Sequence, residues 1–478
     1  MKKICMAVLG FVLCLSCMCA CGPLRSQGQV DASIDVDENI SATLKIAVKD
    51  GEDDKKLINS VAAVFNETYK NVKVEIKPFS NDVYPYMMSA VKTGTTPDIV
   101  ISTSFEMLQL KNSGMLYNLQ KYIDAEEEAG QFDMNDYYDA FMRAGQENFD
   151  GDQYLIPRSA DRVVCHYNAD LMKQADAWYK TSSLYNAEKC ESLFDLIVNG
   201  WTWDDFDYVC SVVRAWYDEN GKADRYILDG SWNWEAVWNP ILASYGVEYI
   251  GDNKQVLIDS EQTREALDFM KSFVTKRYTS SVSSNFYGGL GMFFFHSQAA
   301  KAAAAKVGQT AKYYEAAQAG RYSEFYNVVS MPVREGHENI GSGIAGYCVY
   351  AESPVANVAW KFLKTLLTQE GQNAMSEDSA LNYVPVRKDM SDATKWAWGK
   401  GLDGINLDAY LYNSGKGDDP DWNCFTDFFL KKPSQALNLL NCVGNMVSSY
   451  VLDQSSSITL EKVIGDCKST MTGFMNMR

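Results

Sequence analysis

The 478 residues are 46% hydrophobic and 22% charged, an ordinary balance for a folded protein that argues against global disorder. At about 100–200 residues per domain, the length allows two to four domains. A formal net charge of −18 argues against a nucleic-acid partner and against lying on an anionic membrane surface, because both are bound through clustered Lys and Arg.

The chain opens with the short basic run Met1-Lys2-Lys3. Ile4 to Leu15 is apolar, long enough for a signal-peptide core and short for a membrane span. Small residues then lead to Cys21-Gly22, and the whole stretch resembles a bacterial lipoprotein signal. That resemblance implies cleavage after Ala20 and a lipid on Cys21, with Cys17 and Cys19 as alternative sites. Met18 departs from the pattern, which usually has Leu there. Residues 1–20 are expected to be the signal peptide. Residues 21–40, polar and acidic, read as a flexible tether on the extracellular face of the cell membrane.

Thr43 to Val48 alternates as a strand, and Asp54 to Tyr69 has apolar residues at helical spacing. Asn71 to Pro78 reads as a second strand, Tyr84 to Thr93 as a helix ended by Gly94, and Asp98 to Ser102 as a buried strand. This alternation predicts an α/β fold with a mostly parallel sheet between helices. Gly151 to Pro157 and Arg162 to Tyr167 are strand-like, and Trp203 to Trp216, Thr263 to Phe273 and Gln298 to Lys306 read as helices. Met292 to Phe295 reads as core. Phe325 to Met331 and Gly346 to Tyr350 read as strands, and Val355 to Leu367 and Gln369 to Met375 as helices. The last hundred residues look mainly helical. Cys165, Cys190, Cys210, Cys348, Cys424, Cys442 and Cys467 are scattered without a C-x-x-C pair, so buried free thiols are expected. His166, His296 and His337 are not at metal-ligand spacing, and no metal or cofactor is expected.

Several segments together resemble the extracellular solute-binding proteins of ABC importers, of the maltodextrin-binding type. They are Thr96-Pro97-Asp98-Ile99-Val100; Gly151 to Pro157 with Val163 to Asn168; Gly200-Trp201-Thr202-Trp203-Asp204-Asp205-Phe206; Gly341 to Ala345; and Ala359 to Leu363 with Tyr383 to Arg387. Their order over residues 43–390 carries the match. The resemblance implies a two-lobed periplasmic-binding-protein-like fold with an interlobe hinge and a ligand cleft. The expected lobes are 41–157 plus 285–342 (N-terminal) and 158–284 plus 343–478 (C-terminal). Crossings are expected near Pro157, near Gly343 and around Asn285. The implied partners are a carbohydrate and ABC permease subunits, and the body is expected to be monomeric.

Ligands of open α/β sheets sit beyond the carboxyl ends of strands. Phe79, Ser80 and Asn81 follow the second strand, and Ser102, Thr103 and Ser104 end the third. Their hydroxyls and amide suit a sugar, although Ser and Asn also cap helices. Asp161 and Arg162 offer a carboxylate and a guanidinium to vicinal hydroxyls, or form a hinge ion pair. Trp232, Trp234 and Trp238 lie within seven residues, and the family carries an aromatic platform in the matching region. One of the three is expected in the cleft, Trp232 or Trp234 before Trp238, and the others in the core. Tyr287, next to Gly288-Gly289, and Gly341-Ser342 lie in turns where the backbone can approach a ligand closely. Tyr383 and Arg387 flank the family-like loop, and Tyr412 and Trp422 in the tail are further candidates.

No GxSxG or HExxH motif is present, so a binding protein is expected rather than an enzyme. Two other readings stay open. The same fold could take a polyamine or peptide, with Asp161, Glu235 and the Trp cluster suiting a polyamine. A lipid-anchored glycoside hydrolase would need only two facing carboxylates.

Overall fold

The structure is a computed structural model and describes residues 35–147, 151–229, 232–343, 345–377, 383–412, 428, 431–452 and 458–477. Cys17, Cys19, Cys21, Trp422 and Cys424 lie outside the described residues. Alternating apolar residues make β1 (Ala42–Lys49) and β2 (Val72–Phe79), paired in parallel from Ala42 opposite Val72 to Lys49 opposite Phe79. Helix Glu52–Thr68 joins them and buries Leu57, Ile58, Val61, Ala62 and Phe65 along one face. Glu52, Asp53 and Asp54 fill its first turn, where carboxylates meet the positive end of the helix dipole. Helix Val83–Thr93 stops at Gly94, whose φ of 67° is a left-handed cap that glycine adopts without a Cβ clash. β3 (Ile99–Thr103) then runs parallel to β1.

The first sheet is completed by β4 (Ile156–Pro157) and by β11 (Ala345–Val349), in the order β2-β1-β3-β11-β4. β11 is antiparallel to both neighbours, so the expected parallel sheet carries an antiparallel return at one side. The second sheet contains β6 (Val164–Tyr167), β7 (Leu228–Asp229), β8 (Phe293–His296) and β9 (Asn327–Ser330), in the order β7-β8-β6-β9. Trp203 and Phe206 of helix Trp203–Glu219 pack on it, Phe206 at 5.2 Å from Phe293 and Trp203 at 5.8 Å from Phe295, centroid to centroid. The two sheets are joined through a two-stranded antiparallel ladder of β5 (Asp161–Arg162) and β10 (Ser342–Gly343). The result is the two-lobed α/β architecture.

The pairing departs from the lobe ranges expected from sequence. Residues 285–342 are expected in the N-terminal lobe, yet β8 and β9 flank β6 in the second sheet. Residues 343–478 are expected in the C-terminal lobe, yet β11 lies in the first sheet, and helices Ala356–Leu366 and Gln369–Glu377 pack on helix Glu52–Thr68. Nor does the chain cross at Asn285, because β7 and β8 on either side of it are neighbours in one sheet. Short apolar runs such as FFFH and AGYCV carry the same strand signal; only the partner across the ladder assigns them to a lobe. After the crossing at Ser342–Gly343, the chain passes between the lobes again further on. The Tyr138 N–H donates to the Val386 carbonyl in the first lobe, and the Asn327 side-chain amide donates to the Gly404 carbonyl in the second. Helix Ala436–Val447 then touches helix Ser104–Asn112 of the first lobe and helix Glu235–Ser244 of the second. Of the strand expected over Gly151 to Pro157, only the last two residues form one. Cys165, Cys190, Cys210, Cys348, Cys442 and Cys467 are buried free thiols.

Glu126, in helix Gln120–Glu128, has no exposed side-chain surface and receives Lys361 at 2.6 Å and Lys364 at 2.5 Å. Burial would raise its pKa, but the two ammonium groups win and hold it below the usual carboxylate value. Truncating one partner of a buried ion pair leaves the other charges desolvated, so Glu126→Ala should cost about 3–5 kcal/mol in urea unfolding. A loss under about 1 kcal/mol would show that the triad contributes no more than a surface pair.

Candidate functional site: the interlobe cleft

A cleft of about 770 Å³ opens between the lobes. Lys49 ends β1, and Asp82 and Tyr84 follow β2. Thr103 to Glu106 line the cleft where β3 turns into helix Ser104–Asn112. These positions are the carboxyl ends of parallel strands, where backbone groups diverge and leave a crevice. The second lobe contributes Trp234 and Glu235 at the start of helix Glu235–Ser244, and Ser297 after β8. Arg158 and Ser342 come from the crossing segments, and Leu437, Leu440 and Asn441 from helix Ala436–Val447.

The residues expected at the site from sequence divide into lining and supporting positions. Thr103 lines the cleft and also caps its helix: its hydroxyl accepts from the Glu106 N–H, and the Glu106 carboxylate accepts from the Thr103 N–H. Ser342 lines the cleft from β10, and Trp234 lines it from the helix start. Phe79 is buried beneath Lys49, whose ammonium lies 4.9 Å from its ring centroid. Ser80 and Asn81 are exposed, and the Asn81 carbonyl accepts from Lys49 Nζ at 3.1 Å. Ser102 is buried one residue behind Thr103.

The other expected positions, Asp161 aside, are not among the residues that line the cleft. Trp232 is 1% exposed and packs at 5.7 Å on Phe273. Trp238, also 1% exposed, packs against Gly444 of helix Ala436–Val447. Both are core residues rather than a platform, because they sit inside the turn and helix that carry Trp234 outward. Arg162 is buried, and its guanidinium donates to the Tyr412 carbonyl at 2.6 Å; burial pulls its pKa down to about 10. It is not one of the cleft-lining residues, contrary to its expected pairing with sugar hydroxyls. Asp161 is placed by backbone pairing with Gly343. The Tyr287 hydroxyl donates to Gln298 Oε1 at 2.6 Å, within the second lobe. Tyr383 lies under the Arg158 guanidinium at 4.1 Å, so it positions a lining residue. A Cβ on Gly341 would lie 1.6 Å from the Ala236 carbonyl oxygen, so this glycine lets the crossing strand approach the helix that bears Trp234 and Glu235.

Lys49, Asp82, Arg158, Asn441 and the two leucines of helix Ala436–Val447 escape a reading from sequence. Lys49 and Asp82 do sit at strand ends, a signal that could have found them. The helix carries no such signal, because its place is set by long-range packing. Arg158 pairs with Asp54 at 3.4 Å. Burial still raises Asp54, with Arg158 opposing it. Burial also raises Glu235, opposed by its own backbone N–H and by Trp234. The hydroxyls of Ser104 and Ser342 are buried and have no hydrogen-bond partner among the described residues. They are free to bond a polar ligand.

Residues 60–402 match the family described as bacterial extracellular solute-binding protein. The chain belongs to that family. Its fold is similar to that of the GacH receptor of Streptomyces glaucescens, solved unliganded and with acarbose, at a TM-score of 0.64 and 14% identity, covering 91% of this chain and 99% of that one. An ABC substrate-binding protein of Listeria monocytogenes in complex with cycloalternan gives 0.62 and 16%, over 92% and 100%. UgpB of Mycobacterium tuberculosis in complex with glycerophosphocholine gives 0.66 and 15%, over 91% and 99%. No curated protein matches the chain. Within this solute-binding protein, no described helix is long and apolar enough to cross a membrane.

Two imidazoles stand behind Trp234. His296 lies 5.3 Å from its ring, and His166 bonds the His296 carbonyl at 3.2 Å and the Tyr326 hydroxyl at 2.6 Å. Burial lowers His296 to about 4 and His166 to about 3. The unfolded chain takes up these protons near pH 6.5, which the folded protein does not. Their contribution is therefore intact above about pH 6.5 and lost as the pH falls below it toward the folded values. The melting temperature should fall from pH 7 to pH 5, and His166→Gln should flatten that slope by about one proton's worth. An unchanged slope in the variant would show that His166 is not held neutral.

Proposed function

We propose that this protein captures a carbohydrate, an oligosaccharide or sugar derivative, outside the cell and delivers it to an ABC permease, without catalysis and as a monomer. The single observation that carries the reading is Trp234. It is a half-buried indole on the wall of an interlobe cleft whose other walls hold the partner-free hydroxyls of Ser104 and Ser342. An indole face stacks on the C–H face of a sugar ring, while hydroxyls and carboxylates meet its directional hydroxyl groups. Similar folds solved in complex with acarbose and with cycloalternan support the same class of ligand. The N-terminal pattern supports a lipid on Cys21 that tethers the body to the outer face of the cell membrane.

Binding is expected to draw the lobes together about the β5–β10 ladder, with helix Ala436–Val447 closing one side of the cleft. A thermal-shift screen of the body from Ser41 onward tests the reading. A ligand at 100 times its dissociation constant stabilises by about 2.7 kcal/mol. Saccharides should give the shifts, and shifts from peptides alone would refute the carbohydrate class. Trp234→Ala should weaken the identified saccharide by about 1–3 kcal/mol. Trp232→Ala should instead cost about 3–5 kcal/mol of stability through the cavity it leaves, with affinity of the folded protein little changed. Equal affinity losses in both variants would remove Trp234 from its assigned place.

A further inference from the structure

The charges around the cleft are unevenly matched. Arg158 is neutralised by Asp54, and the Glu106 carboxylate is occupied by the N–H and hydroxyl of Thr103. Lys49 is the second cation; it gives a hydrogen bond to the Asn81 carbonyl and lies over Phe79. Asp82 is exposed at the head of helix Val83–Thr93 and makes no capping hydrogen bond. Glu235, on the opposite lobe, has no cation beside it among the described residues. Counting Asp54, the cleft sets two cations against four carboxylates. Glu235 does stand in the first turn of its helix, but a helix dipole supplies only about half a unit charge. His296 behind Trp234 adds none at neutral pH, since burial holds its pKa near about 4.

An indole face next to a carboxylate is a chemical arrangement that attracts an ammonium group, through the ring quadrupole and the opposite charge together. The hydroxyls of Ser104 and Ser342 make an independent second observation. Both residues line the cleft, they are 1% and 3% exposed, and neither oxygen has a partner among the described residues. Each oxygen can accept from an N–H of the ligand or donate to one of its hydroxyls.

We infer that the cleft takes a saccharide bearing a protonated amine, its ammonium lying against Trp234 and facing Glu235 from the second lobe and Asp82 from the first. The inference rests on the carbohydrate reading and narrows it. With a neutral saccharide, closure would bring the two carboxylates together with Lys49 as the remaining cation on the cleft wall, whereas an aminated one supplies a second positive charge between them.

Isothermal titration of the purified full-length protein tests this with matched sets of saccharides. Each neutral oligosaccharide is compared with its amino analogue and the N-acetylated analogue of equal length; cello-, chitosan- and chitin-oligosaccharides form one such set. Spermidine serves as a cation without a sugar. The tightest-binding saccharide should carry a free amine and bind at least about tenfold better than its neutral and acetylated counterparts. Glu235→Gln should abolish that preference and Asp82→Asn should reduce it, with melting temperatures near wild type. If Glu235→Gln fails to fold, the Asp82→Asn result decides. A neutral saccharide that binds as tightly, or a preference that survives the substitutions, overturns the amine while leaving the carbohydrate reading in place. Binding of spermidine with no saccharide bound overturns the carbohydrate reading itself, and with it this inference. No binding by any saccharide does the same.

Discussion

The passage of the chain between its two sheets is the constraint on which the site depends. Two residues on each strand, Asp161–Arg162 and Ser342–Gly343, pair across the gap. The ladder is held hard against its surroundings on both sides. Gly341 leaves no space for a Cβ beside the Ala236 carbonyl, and Gly346 leaves none beside the Ile156 carbonyl. A larger residue at either place would push the crossing strand off the helix start or off β4. Because Trp234 and Glu235 begin the helix that Gly341 touches, the cleft wall is registered on the crossing itself. Ser342, the next residue, faces the cleft for the same reason.

Around this crossing the walls are built in two different ways. On the first lobe they follow from strand ends: Lys49, Asp82 and Thr103 appear where β1, β2 and β3 stop. Arg158 is aimed by two supports, an ion pair to Asp54 and the face of Tyr383. On the second lobe the wall is a helix start, with Ser297 after β8 beside it, set on an aromatic core of Trp203, Phe206, Phe273, Phe293 and Phe295. Helix Ala436–Val447 spans the two lobes and adds an apolar edge through Leu437 and Leu440. A closing motion would have to slide or rock this helix, since it rests on an element of each lobe.

Much of the fold can be read from residues 43 to 103, because period-two and period-3.6 patterns survive in TLKIAV, NVKVEI and the helices between them. The candidate site is legible only in part. Thr103, Trp234 and Ser342 stand out by type and by position after a strand or in a glycine-rich turn, and each lines the cleft. Trp232 and Trp238 look the same in sequence as Trp234. Which indole turns outward is decided by where helix Glu235–Ser244 begins and by what Phe273 and Gly444 already occupy. Arg162 reads as a ligand-binding cation, yet it is turned inward to the Tyr412 carbonyl, 250 residues away.

What the amino-acid sequence determined by itself was therefore local: strands, helices, caps, the free thiols, the acidic character and the order of segments that marks the family. Those properties depend on neighbours a few residues apart. Lobe membership of Phe293–His296 and Ala345–Val349, the outward face of Trp234 and the placing of Leu437 and Asn441 on the cleft were decided only in the tertiary structure. They depend on which strand supplies the hydrogen-bonding partner and which surface is left to pack. No local pattern encodes contacts between residues hundreds of positions apart.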